Sequence, residues 1–123
     1  MTIRSEALRW LSSNHGDVKS KIYTSKYYLP HESWPKTHVW WPQIPISAID
    51  EKLGYYINLV CQADANSNKF HYLKVPITFF EENLDKFDKV NGKIHLYLSA
   101  DPNNLFVEQR GIGKINFTEF LVS

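Results

Sequence analysis

The chain has 123 residues, with 14 Lys and Arg against 13 Asp and Glu, a net charge of +1. The near-neutral balance gives no direct sign of a polyanion partner. Aromatics at 15% argue against a disordered chain, and the length suits one domain with one substantial core. A single cysteine, Cys61, excludes an internal disulfide framework and fits a reduced, cytoplasmic setting. It sits in the apolar run Ile57-Asn58-Leu59-Val60-Cys61 and reads as a small buried hydrophobe. The first residues lack the apolar stretch of a secretion signal, and no segment is long and apolar enough to span a membrane.

Ile3, Ala7, Leu8 and Leu11 fall at helical spacing, with Thr2 as a cap and Asn14-His15-Gly16 as a stop. The spacing predicts a helix over 3–13, packed on a sheet. Residues 20–29 are rich in aromatic and β-branched types and read as a strand or extended arm. The next segment carries Pro30, Pro35, Pro42 and Pro45, so His38–Trp41 is expected to be a short or edge strand. On a strand, Trp40 and Trp41 point to opposite faces, which sends one of them into the core. Ile46–Glu51 is long enough for about one helical turn.

Tyr55–Gln62 and Lys69–Val75 read as an antiparallel hairpin across the polar turn 64–68. A helix is expected near 76–87. Pro76 stands at its start, Ile77, Phe80, Leu84 and Phe87 form its stripe, and Glu82 and Lys86 are spaced as an ion pair. Lys93–Ala100 alternates apolar with polar and predicts a half-buried strand. After the turn 101–104, Leu105–Gln109 reads as a further strand and Arg110–Lys114 as a flexible loop. The order predicts an α+β fold with a curved, mostly antiparallel sheet, its closure into a small open barrel left undecided.

The five histidines lack metal-ligand spacing, there is no second cysteine, and no metal or cofactor is expected. His38, His71 and His95 fall on predicted strands, which leaves a small histidine-based enzyme as one reading. Asp101 with Glu108-Gln109-Arg110 fits a metal-dependent nuclease core poorly, because arginine does not give up its proton to act as a base. Arg110-Gly111-Ile112-Gly113-Lys114 has two glycines and two cations, which suits a backbone cradle for phosphate. Residues 1–30 hold Arg4, Arg9, Lys19, Lys21 and Lys26 against two carboxylates, whereas 77–90 hold two cations against four carboxylates. This asymmetry allows one basic face on a neutral chain. Tyr23, Tyr27, Tyr28, Trp34, Trp40 and Trp41 are interleaved with these cations and suit either base stacking or the core.

Residues 72–122 resemble a B3-type DNA-binding pseudobarrel. The resemblance is carried by Leu73-Lys74-Val75-Pro76-Ile77-Thr78-Phe79-Phe80 with Asn83-Leu84, by Asn91-Gly92-Lys93, and by Phe117–Val122. It implies DNA binding through arms projecting from a barrel, in bacteria often beside a restriction nuclease. The expected function is therefore a non-catalytic nucleic-acid-binding module. Lys19, Lys21, Lys26, Arg110 and Lys114 would contact phosphate, and Trp40 or Trp41, Asn103 and Asn104 would contact base or sugar. A protein-interaction module using exposed aromatics, as an adaptor, an immunity-type inhibitor or an assembly subunit, is the competing reading.

Overall fold

A computed structural model describes residues 2–16, 18, 21–32, 37–50 and 56–122. Among the described residues, three α-helices and ten short strands follow in the order α1 (Ile3–His15), β1 (Ile22–Ser25), β2 (Tyr27–Tyr28), β3 (Val39–Trp40), β4 (Gln43–Pro45), α2 (Ile46–Asp50), β5 (Tyr56–Gln62), β6 (Phe70–Pro76), α3 (Ile77–Glu82), β7 (Lys89–Val90), β8 (Lys93–His95), β9 (Leu98–Ser99) and β10 (Leu121–Val122). The fold is α+β and mostly antiparallel. The described strands form three open sheets, in the orders β1-β5-β6-β10, β2-β3-β9 and β4-β8-β7, and no sheet closes into a barrel. The pairing of β1 with β5 is parallel. No described helix is long and apolar enough to cross a membrane.

The hairpin β5–β6 is the spine. Its full register runs from Tyr56 opposite Pro76 to Gln62 opposite Phe70. Ile57, Leu59 and Cys61 alternate into the main core with Leu73 and Val75, around Trp40, Phe80, Phe106 and Phe117. Val60, Phe70 and Tyr72 face the other way and meet Ala7 and Leu11 of α1. Covering both faces of β5 explains its nearly continuous apolar sequence. Burial pushes the Cys61 thiol up, out of reach of ionisation at neutral pH. Helix α1 is capped by the Thr2 hydroxyl, which accepts from the Ser5 amide at 3.1 Å, and ends at Gly16 with φ 75°.

Several expected elements are broken where the chain changes sheet. Of the expected 20–29 strand, Ser20 lies outside the described residues, and the rest is interrupted at Lys26 into β1 and β2, which join different sheets. Strand β3 is central rather than an edge, lying between β2 and β9, because the prolines fall outside its two residues. The expected helix 76–87 stops at Glu82, and a 3-10 turn covers Leu84–Lys86. Asn83 ends it at φ −116°, with its side-chain amide donating to Phe79 O. The chain is extended again at Phe87, whose ring reaches Phe80 and Phe117 in the core. This break also removes the helical spacing between Glu82 and Lys86. The 93–100 strand divides into β8 and β9, which serve different sheets. Leu96 to Ala100 are all buried, so the expected solvent face at Tyr97 and Ser99 is covered. Leu105–Gln109 makes only isolated bridges, Leu98 with Glu108 and Val107 with Asn116.

Candidate functional site

A cleft of about 410 Å³ opens between α1 and the β1–β2 bend, with Trp41 and Gln43 across from them. Arg4 and Lys26 bring cations to it, and Tyr23, Tyr28 and Trp41 bring rings. No carboxylate is among the residues that line it. The passage from β1 to β2 at Lys26 creates this arrangement, because the two strands belong to separate sheets. Helix α1 then supplies Arg4 from its first turn, where the guanidinium donates to Ile22 O at 3.0 Å.

Trp41 is the fixed point of the cleft. Its backbone N–H donates to Ser25 Oγ at 2.8 Å, and its indole Nε1–H donates to His95 Nδ1 at 3.1 Å. Its ring meets Tyr97 edge-on at 5.4 Å and Tyr28 at 6.0 Å. Accepting at Nδ1 requires that nitrogen of His95 to be unprotonated. Burial, then the nearby Arg110 charge, push the His95 pKa down, which favours the neutral ring. The Arg110 guanidinium lies over the Tyr97 ring at 5.1 Å, donates to the Tyr97 hydroxyl at 3.0 Å, and forms an ion pair with Asp88. At the other end the Lys26 ammonium lies 4.7 Å from the Tyr28 ring centroid and pairs with Glu32 at 2.7 Å. That hydrogen bond to Glu32 raises the Lys26 pKa. The pair is exposed, so solvent screens it. A row of ring contacts therefore runs Tyr28–Trp41–Tyr97, with Lys26 at one end, the Tyr97 ring buried, and Arg110 packed over it at the other.

The remaining expected contacts are placed differently. Lys19 lies outside the described residues. Lys21 turns inward, its ammonium donating to Ala48 O at 2.5 Å. Trp40 is the member of the pair that enters the core: it is 1% exposed, stacks on Phe106 at 5.0 Å, and donates to Gln62 O at 2.6 Å. It is out of reach of a base. Asn103 and Asn104 sit in an exposed turn away from the cleft lining, and Asn104 Oδ1 accepts from the Ser99 hydroxyl. Lys114 is exposed at φ 47°, on the far limb of the 110–114 loop.

That loop turns its first amides inward. Glu108 is 1% exposed, and its carboxylate accepts from the backbone N–H groups of Tyr97, Arg110 and Gly111. The next amide, Ile112, donates to Lys86 O at 3.1 Å. The amides of Arg110, Gly111 and Ile112, part of what the loop was expected to offer an anion, are already committed inside the protein. Gly111 is required for a different reason: a Cβ there would collide with the Lys86 carbonyl and approach Glu108 Oε1 at 2.9 Å. Glu108 is thus a structural carboxylate, far from the role of a nuclease ligand.

The three histidines expected on strands pack against rings, and His38 falls just before β3 instead of on it. His38 lies 5.5 Å from Tyr27, and its buried Nδ1 has no hydrogen-bond partner. His71 meets Trp40 and Phe106 edge-on, and burial lowers its pKa. No group of three or more His, Cys, Asp or Glu among the described residues is placed to hold a metal ion. The composition-level basic bias pointed toward Arg4, but nothing marked its place beside Tyr28 and Gln43. Comparison with protein-family models, with curated proteins and with solved structures gave no match.

Proposed function

We propose that the protein is a nucleic-acid-binding module whose contact surface is the cleft at Trp41, with Arg110, beyond the buried Tyr97 ring, as a further cation. The observation that carries this reading is the lining itself: Arg4 and Lys26 beside Tyr23, Tyr28 and Trp41, with no carboxylate among them. Cations beside aromatic faces are what a polynucleotide needs, since phosphates take the charge and bases take the rings. Lys26 and Arg110 are held by Glu32 and Asp88, and a phosphate would replace those partners at an exposed edge where each pair contributes little. The DNA-binding expectation from the B3-type resemblance agrees in ligand class, and an association with a bacterial restriction or defence system follows only by that analogy. Titration of labelled DNA and RNA at low salt tests the reading. Binding that is lost in the double variant Arg4→Glu/Lys26→Glu supports it, and absence of binding to either polymer overturns it.

A second reading, protein interaction, draws on another part of the surface. A more apolar cleft lies between α1 and the outer strand β10, lined by Trp10, Phe70, Leu121 and Val122. Leu121 is exposed, and Ile112 at the tip of the 110–114 loop is 85% exposed. Rigidly presented apolar side chains of this kind suit a protein interface. A second copy is the simplest partner to test. A concentration-dependent mass in light scattering that Leu121→Ser abolishes would favour it, and a monomer at all concentrations would remove self-association.

A further inference from the structure

We infer that the Trp41 cleft receives one unstacked base, so that the ligand is a single-stranded rather than a duplex nucleic acid. The inference rests on the nucleic-acid reading above and narrows it. A base inside a duplex has both faces covered by its neighbours and offers only its edge to a groove. A concave site lined by rings gains nothing from such a base. Here the concavity is about 410 Å³, within the range of sites that enclose a small planar ligand.

The ring geometry supports insertion. Tyr28 and Trp41 already touch as a tilted pair, 6.0 Å between centroids and 58° between planes, and both line the cleft. A base entering the cleft therefore stacks against ring surface that the pair turns to the concavity, not between the two rings. Trp41 is held in place by Ser25 Oγ, His95 Nδ1 and the Tyr97 edge, so little side-chain freedom is lost on binding. Gln43 lines the same cleft with an amide that both donates and accepts, suited to the polar edge of a base. Arg4 and Lys26 line the same cleft, and strand-following cations with sequence-tolerant stacking are the recurring features of single-strand sites.

The test is fluorescence anisotropy of the full chain with labelled oligothymidylate of about 12 nucleotides and a mixed-sequence duplex of the same length. Both are titrated at about 50 mM NaCl. The single strand is expected to bind about ten-fold more tightly than the duplex. Trp41→Ala should lose about ten-fold on the single strand and less than about two-fold on the duplex. Trp41→Phe keeps a ring in the cleft and should retain most of the single-strand affinity. Circular dichroism of both variants identifies any loss due to unfolding, and Trp41→Phe remains informative if the alanine variant does not fold. Duplex binding as tight as single-strand binding would overturn the inference and leave the nucleic-acid reading standing. Failure of both probes to bind overturns both.

Discussion

The 110–114 loop and the Trp41 cleft are both basic, and their interiors are opposite. In the loop, a buried carboxylate from Glu108 takes the amides of Tyr97, Arg110 and Gly111, so the positive ends of the backbone are consumed by the protein itself. In the cleft, charge comes from side chains, no carboxylate is among the lining residues, Glu32 pairs with Lys26 from outside them, and three rings line the concavity. Glycines flanked by cations therefore do not make an anion site when an acid three residues upstream turns back into the same turn. The loop is built for rigidity, and the cleft for contact.

The largest separation of the two should come from Glu108. Glu108→Ala leaves three buried or half-buried amides without their acceptor, and should destabilise the protein by about 3 kcal/mol, or about 10 °C in Tm. Glu108→Gln keeps one acceptor oxygen and should cost less. Calorimetry reads both, and an unchanged melting point would remove the structural role given to the loop. The reverse pattern is expected for Arg4→Glu/Lys26→Glu, which should lower oligonucleotide affinity by at least about ten-fold with Tm shifted by less than about 3 °C, since surface pairs contribute little.

Salt sharpens the same contrast. If Arg4, Lys26 and Arg110 are the phosphate contacts, the log–log slope on a single strand should be about −2. The five contacts expected from the sequence would give a steeper fall. Replacing Lys114 with Ala should leave the slope unchanged, and a flatter slope in that variant would bring the loop back into the contact surface.

The smallest effect is on pH. His71 and His95 both have pKa values lowered from 6.5, His71 by burial and His95 by burial and then by Arg110. Their folded forms resist protonation, while the unfolded chain takes up protons near the ordinary value. Their contribution to stability is therefore fully present above pH 6.5 and is lost as pH falls toward the lower folded values. Arg110, Asp88 and Lys93 act on His95, with Asp88 opposing the other two. Melting curves from pH 7 downward should show a decline of about 1 kcal/mol or less that is reduced in His95→Asn. Protonation of His95 also removes the acceptor for Trp41 Nε1, so oligonucleotide affinity should change over the same interval.

The α+β class, the helix at the start and the β5–β6 hairpin were readable because periodicity there continues over enough residues to mark one face. One of Trp40 and Trp41 was expected in the core, and Trp40 is that one, although Trp41 lies just beyond β3 and is half-buried. Elements that change sheet were not readable: the 93–100 alternation predicts one strand, yet Leu96 to Ala100 are buried on both sides because neighbours distant in sequence cover them. The partners of the cations were equally hidden. Lys21 to Ala48 spans 27 residues, and Arg110 meets Asp88 only through the tertiary fold. Glu108 did leave a signal, since it shares strand parity with the buried Phe106 and precedes Gly111 by three. An acid in phase with a core phenylalanine is an inward-facing acid, and such a group needs donors.

The parallel pairing of β1 with β5 has a kinetic consequence. Ile22 lies opposite Asn58 and Ser25 opposite Cys61, so this edge of the sheet closes only after an intervening stretch of more than about 30 residues has crossed over. Lys26, Tyr28, Trp41 and Gln43 all lie on that stretch. The binding surface should therefore assemble after the β5–β6 hairpin, and in refolding experiments the indole signal of Trp41 should mature later than hairpin backbone protection.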